Sequence, residues 1–460
     1  MTSPQALIEL TLETTTADEC VALLRISSTT NLRWANSTLT TNGVMTSSHL
    51  TVISVISGSK GSAAGVLTRS TTTPGQVKAL VAAADEAARL AAPAPDGAPF
   101  VTGNDSTDFD SSPGATGIEA FGDFARDLRV AFDAADGGDQ LLYGYVEHDV
   151  TTTYLGSSTG LRLRHEQPTA QVGITQKPTD LSTSAWVGQA AEQISDIEVE
   201  SLSSELARRV GWAKRRVDLP AGRYETILPA AAVADLGIYA YFVSSGRDAH
   251  EGQTVFSDPA GGTRVGQQIA RPGVRLHSDP SRQGLTTCPF VAAASSNSAE
   301  SVFDNGMALQ PTDWINDGIL KGLATSRHTA QLTELPHTPA IDNLVLTVDG
   351  AHGSVDDLVA TTERGLLLTC LWYIREVDPH TLLLTGLTRD GVYQVENGEV
   401  VGAANNFRFN ESPLDLWNRF SEAGDTVRSY SREWGDYFPR TETPPMRIPD
   451  FNMSTVSQAS

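Results

Sequence analysis

Val355-Asp-Asp-Leu-Val-Ala-Thr-Thr-Glu-Arg-Gly365 runs directly into Leu366-Leu-Leu-Thr-Cys-Leu-Trp-Tyr-Ile374, and Val392-Tyr-Gln-Val-Glu-Asn-Gly-Glu-Val-Val401 comes soon after. The fold class turns on how this stretch is read. Ser354 can cap a helix, and Asp356 and Asp357 favour the positive end of its dipole, so residues 355–365 are expected to be helical. The apolar run 366–374 contains Thr369 and Tyr373 and stops at Arg375. It is too short to cross a bilayer and is expected to be a buried strand or helix. Asn397-Gly398 lies between apolar segments and supplies the positive φ angles of a two-residue turn, which makes 392–401 a hairpin. Asp317-Gly318, inside Trp314-Ile-Asn-Asp-Gly-Ile-Leu320, repeats the signal. The chain is therefore expected to be β-rich over 221–460. Its last stretch, from Pro439, is polar and Pro-rich and is expected to run along a surface or to be mobile.

Upstream, the pattern divides into two further units, 1–110 and 111–220. In the first, an α/β unit, residues 6–12 read as helix and residues 20–26 and 50–56 as strands, with Asn42-Gly43 offering a tight turn between them. The glycine-rich 58–65 lacks the spacing that cradles phosphate and reads as a strand connection. Thr73, Pro74 and Gln76 form a capping-box start for a helix whose Val77, Leu80, Val81, Ala84 and Ala88 share one face. Residues 93–116 form a linker, and its Asp105, Asp108 and Asp110 read as a solvated acidic loop without EF-hand spacing. In the central unit, Phe121, Phe124, Leu128 and Phe132 mark an amphipathic helix. The period then changes to two over 141–187, an antiparallel meander, before a helix on Val199, Leu202, Leu206 and Val210. Lys214-Arg215-Arg216 reads as the flank of that helix's C-terminus. The whole is α+β: an N-terminal α/β unit, a middle helix plus antiparallel meander, and a C-terminal β-rich domain.

Composition bounds the function. The 460 residues carry 33 Lys plus Arg against 55 Asp plus Glu, a formal charge of -22. An acidic surface repels nucleic acid and anionic lipid, so neither is an expected partner. Cys20, Cys288 and Cys370 are widely spaced and form no CxxC pair, as expected of reduced, buried thiols in a cytoplasmic protein. The first residues lack the basic and apolar regions of a signal peptide.

Local catalytic motifs are absent or decoys. His250-Glu251 begins a zinc-helix string, but Thr254 and Val255 stand where the second histidine would be needed. His328 and His337 do not share a helical face, and His277, His352 and His380 stand alone; surface or hydrogen-bonded roles are expected for all of them. Gly156-Ser-Ser-Thr-Gly160 matches the G-x-S-x-G pattern. The residues after it alternate as a strand, so a hairpin turn is expected there and not a nucleophile elbow at Ser158. No catalytic, metal-binding or cofactor-binding residue is assigned in this chain.

Longer strings carry a resemblance. Residues 357–399, with Leu-Val-Ala-Thr-Thr-Glu-Arg-Gly-Leu-Leu-Leu-Thr, Val-Asp-Pro and Val-Glu-Asn-Gly-Glu, resemble the C-terminal region of the TldD/PmbA family, in which PmbA is also called TldE. Gly266-Gln-Gln-Ile through Asp279-Pro280, Ile315-Asn-Asp-Gly-Ile-Leu-Lys-Gly322, Tyr154-Leu-Gly-Ser-Ser-Thr-Gly-Leu161 and residues 36–91 resemble the family's other regions in order. The ending is similar to an actinobacterial branch labelled TldD-related metallopeptidase; it comprises Asn406-Phe-Arg-Phe-Asn-Glu-Ser-Pro413, Arg432-Glu-Trp-Gly-Asp-Tyr-Phe438 and Pro449-Asp-Phe-Asn-Met-Ser454. The resemblance implies a TldD subunit with an H-E-x-x-x-H helix and a later Cys for the metal, and a TldE subunit without them. Here Val243-Ser-Ser-Gly-Arg-Asp-Ala-His-Glu-Gly252 lacks the histidine pair, so the chain resembles the TldE side. The resemblance further implies a cytoplasmic, heteromeric metallopeptidase acting on short or unfolded peptides, with zinc in the TldD-like partner and no cofactor in this chain. The alternatives are a non-catalytic peptide-binding or scaffold protein, perhaps homodimeric, and, last, an autonomous hydrolase using Ser158 or Cys288.

Overall fold

The computed structural model describes residues 2–70, 73–103 and 105–457. The chain opens with helix α1 (Pro4–Thr14), then strands β1 (Glu19–Ala35), β2 (Thr38–Gly58) and β3 (Gly61–Ser70), and helix α2 (Pro74–Leu90). Helix α3 (Gly122–Asp136) precedes strands β4 (Gln140–Ser157), β5 (Arg162–Pro178) and β6 (Ala185–Ala191), and helix α4 (Val199–Trp212) comes next. Thr73 and Gln76 close the capping box of α2, with Pro74 in its first turn. All six strands pair antiparallel in the order β3-β2-β1-β4-β5-β6, so one sheet joins residues 19 to 191.

Period-two alternation sorts this sheet into two unlike faces. Even-numbered residues of β1, β4 and β5 pack beneath the helices. Ala22, Leu24 and Tyr154 join α1 and α2, while Leu32, Trp34, Val146, Val172 and Ile174 join α3 and α4. Odd-numbered residues point the other way, toward the C-terminal half.

The turn between β1 and β2 is not at Asn42-Gly43. Asn36 and Ser37 take φ of 50° and 54°, and Ala35 pairs with Thr38 around them. Their short polar side chains tolerate the left-handed conformation, and the strand continues through Gly43, opposite Asn31.

The C-terminal half is built on two further sheets. The larger runs Leu371–Asp378, Leu383–Thr388, Phe407–Glu411, Met446–Val456, Gly222–Leu228, Arg364–Leu368, Val392–Glu396, Glu399–Ala404 and Arg216–Val217, and Glu422–Ala423 pairs beside Met446–Val456. The smaller runs Ile319–Leu320, Thr312–Asn316, Val274–Ser278, Leu344–Val348, Thr441–Thr443 and Val427–Ser429. Helix α5 (Ala230–Phe242) is apolar except for the buried Asp235, and most of its side chains belong to the core cluster that both sheets share. The short helix α6 (Gly246–His250) lies just beyond it. Both Asp-Gly and Asn-Gly hairpins form, with φ of 51° and 72° at 317–318 and of 51° and 81° at 397–398.

Two further expectations need correction here. The helix after Ser354 spans only Val355–Ala360, with Asp357 completing its cap, and 364–368 is already strand. Gly365 lies so close to the neighbouring strand that a Cβ would stand 2.6 Å from the Glu225 carbonyl oxygen, which suits strand pairing. The stretch after Pro439 is not a surface tail. It supplies an interior strand, with Met446, Ile448, Phe451 and Met453 buried between Phe407–Glu411 and Gly222–Leu228. Its period of two is broken by an irregularity between Ile448 and Phe451 at Pro449-Asp450, which hides the alternation in the sequence.

Phe451 is 0% exposed and its ring lies 5.9 Å from that of Phe409. Phe451→Ala is expected to destabilise the fold by about 3–5 kcal/mol, read from the midpoint of urea unfolding; an unchanged midpoint would contradict an interior position for this strand.

Candidate functional site

The odd face of the N-terminal sheet is the floor of a cleft. Three strands in register lay out its rungs: Leu23, Leu155 and Leu163; Arg25, Thr153 and His165; Ser27, Thr151 and Gln167; Thr29, Asp149 and Thr169; Asn31, Glu147 and Gln171; Arg33, Tyr145 and Gly173. The first rung is apolar and sealed by Phe290, Val302 and Phe303. The others are almost wholly polar, although the opposite face of the same strands is core.

Loops of the C-terminal half roof this floor over a cavity of about 490 Å³ that includes Arg25, Asp149, His165, Glu300, Asp342 and Arg440 in its walls. Arg25 ties floor to roof by donating to the Ala292 carbonyl at 2.6 Å. Asn305, fully buried, holds the roof loop in shape by bonding both the amide and the carbonyl of Ala293, at 2.6 and 2.9 Å. Arg327 donates to Asp304 at 2.6 Å, with His337 at 3.5 Å. Burial alone would raise the Asp304 carboxyl, but His337 and Arg327 hold it below the usual range. Glu300 behaves oppositely: partial burial, reinforced by Asp342, raises its carboxyl although the side chain still reaches solvent. Burial lowers the His165 imidazole, favouring its neutral form.

Beyond this cavity the floor continues into an open trough of about 660 Å³ lined by Tyr143, Tyr145, Trp186, Tyr430 and Arg432. The carboxylate that sets its wall lies in the C-terminal core. Asp235 of α5 is 0% exposed and accepts the backbone N–H of Glu433 at 2.9 Å and of Arg432 at 3.3 Å. Glu433 in turn accepts the amides of Tyr373 and Ile374, at 2.9 and 3.2 Å. One buried acid thus fixes the 431–434 turn and delivers Arg432 to the trough. Burial pushes the Asp235 carboxyl up to about 7, against the lowering effect of its hydrogen bonds to Glu433, Arg432 and Ser431.

The decoys take structural positions. Ser158 lies in the β4–β5 turn, where its Oγ accepts the Cys20 amide at 2.9 Å, and no histidine bonds to it. Burial pushes the Cys20 and Cys288 thiols up to about 12, and Cys370 also well above its ordinary value, so none is a thiolate near neutral pH. His250 is exposed at the end of α6, and Glu251 is occupied by Arg247 at 2.9 Å. Helix α5 contains no His, Cys or Glu, and its one acid, Asp235, is turned into the core. Among the described residues, no three His, Cys, Asp or Glu side chains group as metal ligands. These side chains do not fit a zinc ion. His277 is neither a surface nor a fully hydrogen-bonded histidine: it is buried, its Nδ1 has no partner, and its imidazole is lowered to about 4.

Sequence reading missed Arg25, Glu300, Asp342, Arg33 and Arg432. For Arg25 and Arg33 the available signal was polar residues at alternate positions of strands whose other positions are mostly buried, as at 25–33 and 147–153; Glu300, Asp342 and Arg432 lie in loops outside that pattern. Among the described residues, no helix is long and apolar enough to cross a membrane.

The sequence profile of the PmbA/TldA metallopeptidase C-terminal domain matches residues 221–455. No curated protein sequence matches the chain. Among solved structures, TldE from Thermococcus kodakarensis is similar at a TM-score of 0.78 and 15% identity, over 97% of this chain and 99% of that one. Two chains named as candidate modulators of DNA gyrase are also similar. The one from Thermotoga maritima has a TM-score of 0.74 and 15% identity, over 94% of this chain and 95% of its own. The one from Bacteroides thetaiotaomicron has a TM-score of 0.76 and 13% identity, over 99% and 100%. At such identities the likeness establishes the α+β fold.

Asp235 binds its proton more tightly folded than unfolded. Its stabilising contribution is therefore complete below about pH 4 and is lost as pH rises through about 7. Between pH 5 and pH 8 the loss should amount to roughly 2–3 kcal/mol. That part of the decline should disappear in Asp235→Asn, and urea unfolding of both proteins at the two pH values measures it; identical pH slopes would contradict the assignment.

Proposed function

This chain belongs to the PmbA/TldA metallopeptidase family, and on that premise we propose that it is a TldE-like subunit of a TldD/TldE-type metallopeptidase assembly, itself without the zinc site. The observation that carries the reading is the makeup of the α5–α6 segment, where the resemblance would place the metal helix. It holds one exposed histidine, His250, and two acids, Asp235 committed to the core and Asp248 accepting from the Ser298 hydroxyl at 2.9 Å, with no second histidine to share an ion. Zinc and the water it activates would then belong to a TldD-like partner, and this chain would supply a wall of the peptide chamber. The polar cleft supports that role. Its floor offers hydroxyl, amide and charged groups across consecutive rungs, as hydrogen bonding to an extended backbone requires, whereas a folded domain would not fit between floor and roof. The assembly is placed in the cytoplasm, in keeping with the unpaired cysteines.

The test is to purify the chain alone and with a TldD-like chain, then measure zinc content and cleavage of an unfolded peptide. Alone it should hold well under one zinc per chain and cleave nothing; with the partner, cleavage should appear and exceed that of the partner alone. Stoichiometric zinc together with hydrolysis by this chain alone would overturn the reading. Peptide binding without any gain on adding the partner would favour a scaffold instead.

A further inference from the structure

The trough at the end of the cleft contains two arginines, Arg33 and Arg432, that have no ion-pair partner among the described residues. At its base Gly173 and Gly188 face each other across β5 and β6. A Cβ at Gly188 would stand 2.5 Å from the rings of both Trp186 and Tyr430, so glycine there lets these rings close over the strands. The Arg432 guanidinium lies 3.9 Å from the Trp372 ring centroid and 4.9 Å from that of Trp186. Its Nε is buried without a hydrogen-bond partner. Arg33, exposed on β1, lies 5.7 Å from the Tyr145 ring centroid. The trough's own acids are engaged by tyrosines: Glu147 accepts from the Tyr145 hydroxyl, and Asp436 from the Tyr430 hydroxyl at 3.2 Å.

Stacking holds a guanidinium flat and leaves its N–H edge as the only route to a strong partner. The trough carries two arginines and two carboxylates, so the recognising feature is the pair of stacked guanidiniums without an ion pair, whose N–H edges match the two oxygens of a carboxylate. We propose that the trough is an anion-recognising subsite that takes a carboxylate-bearing segment of an extended peptide. The carboxylate meets Arg432 and Arg33, and the adjoining peptide or side chain lies against Tyr143, Tyr145 and Tyr430. A glutamate or aspartate side chain and a peptide's C-terminus present the same pair of oxygens to the guanidinium fork. The inference rests on reading the cleft as a peptide path, and it adds a substrate preference to that reading.

Fluorescence anisotropy of labelled hexapeptides with the full chain, alone and with a TldD-like partner, tests it. Three probes separate the sources: an alanine-rich peptide with two central glutamates and an amidated end, an all-neutral peptide with a free C-terminal carboxylate, and the same neutral peptide amidated. At least one carboxylate probe should bind tenfold or more tightly than the neutral amide, and which one does so identifies the source. The preference should shrink as salt rises and should fall toward unity in Arg432→Gln. Arg33→Gln, at an exposed position, should reduce it at least threefold, and it serves as the readout if the Arg432 variant does not fold. Equal affinity for all three probes, or a preference that survives Arg33→Gln together with a folded Arg432→Gln, overturns the subsite and leaves the peptide path standing. Failure of every probe to bind, with the partner present, overturns both.

Discussion

The register of β1, β4 and β5 is the constraint on which the rest of the molecule depends. Side chains alternate faces along a strand, so a slip of one residue would carry Arg25, Glu147 and Asp149 beneath the helices and expose Leu24, Val146 and Val172. Burial of the even positions under α1 to α4 locks the register and, without further interactions, assembles the polar rungs on the other side. The core and the candidate site are two consequences of one alternation.

The second half of the chain turns that floor into a cleft. It does so through loops, which can carry irregular polar chemistry once rigid sheets position them. Arg25 reaching Ala292, Asn305 clamping Ala293 and Asp235 gripping the 431–434 turn are the links that matter. Asp235 shows how far the coupling extends: a carboxyl inside the core of one half holds an arginine against Trp186, which belongs to the sheet of the other. The chain thus presents a shaped polar surface, while helix α5 packs in the core shared by the two C-terminal sheets.

Much of this could be read from residues alone, and the failures are instructive. Thr73-Pro-Gly-Gln76, Asp317-Gly318 and Asn397-Gly398 act within a few bonds, and each behaves as its local chemistry dictates. Asn42-Gly43 did not turn, because Asn36-Ser37 nearby tolerates the same φ and the long pairing of β1 with β2 favours it. Residues 446–456 looked like a tail since Pro449 and Asp450 interrupt the alternation, and only their pairing with Gly222–Leu228 and Phe407–Glu411 shows that the interruption is a bulge. The helix after Ser354 stopped at Ala360 because strand pairing claimed 364–368 from it.

By itself the sequence determined the α+β class, the hairpin turns at 317–318 and 397–398, the caps, the meander and the missing histidine pair, since all of these depend on the chemistry of neighbouring residues or on simple period. The site was decided by tertiary structure alone. Arg33 and Arg432 are separated by about four hundred residues of chain, so no local pattern relates them. Their shared trough exists because the register aims one, a buried carboxylate aims the other, and a glycine at 188 lets the Trp186 and Tyr430 rings lie close over the strands between them.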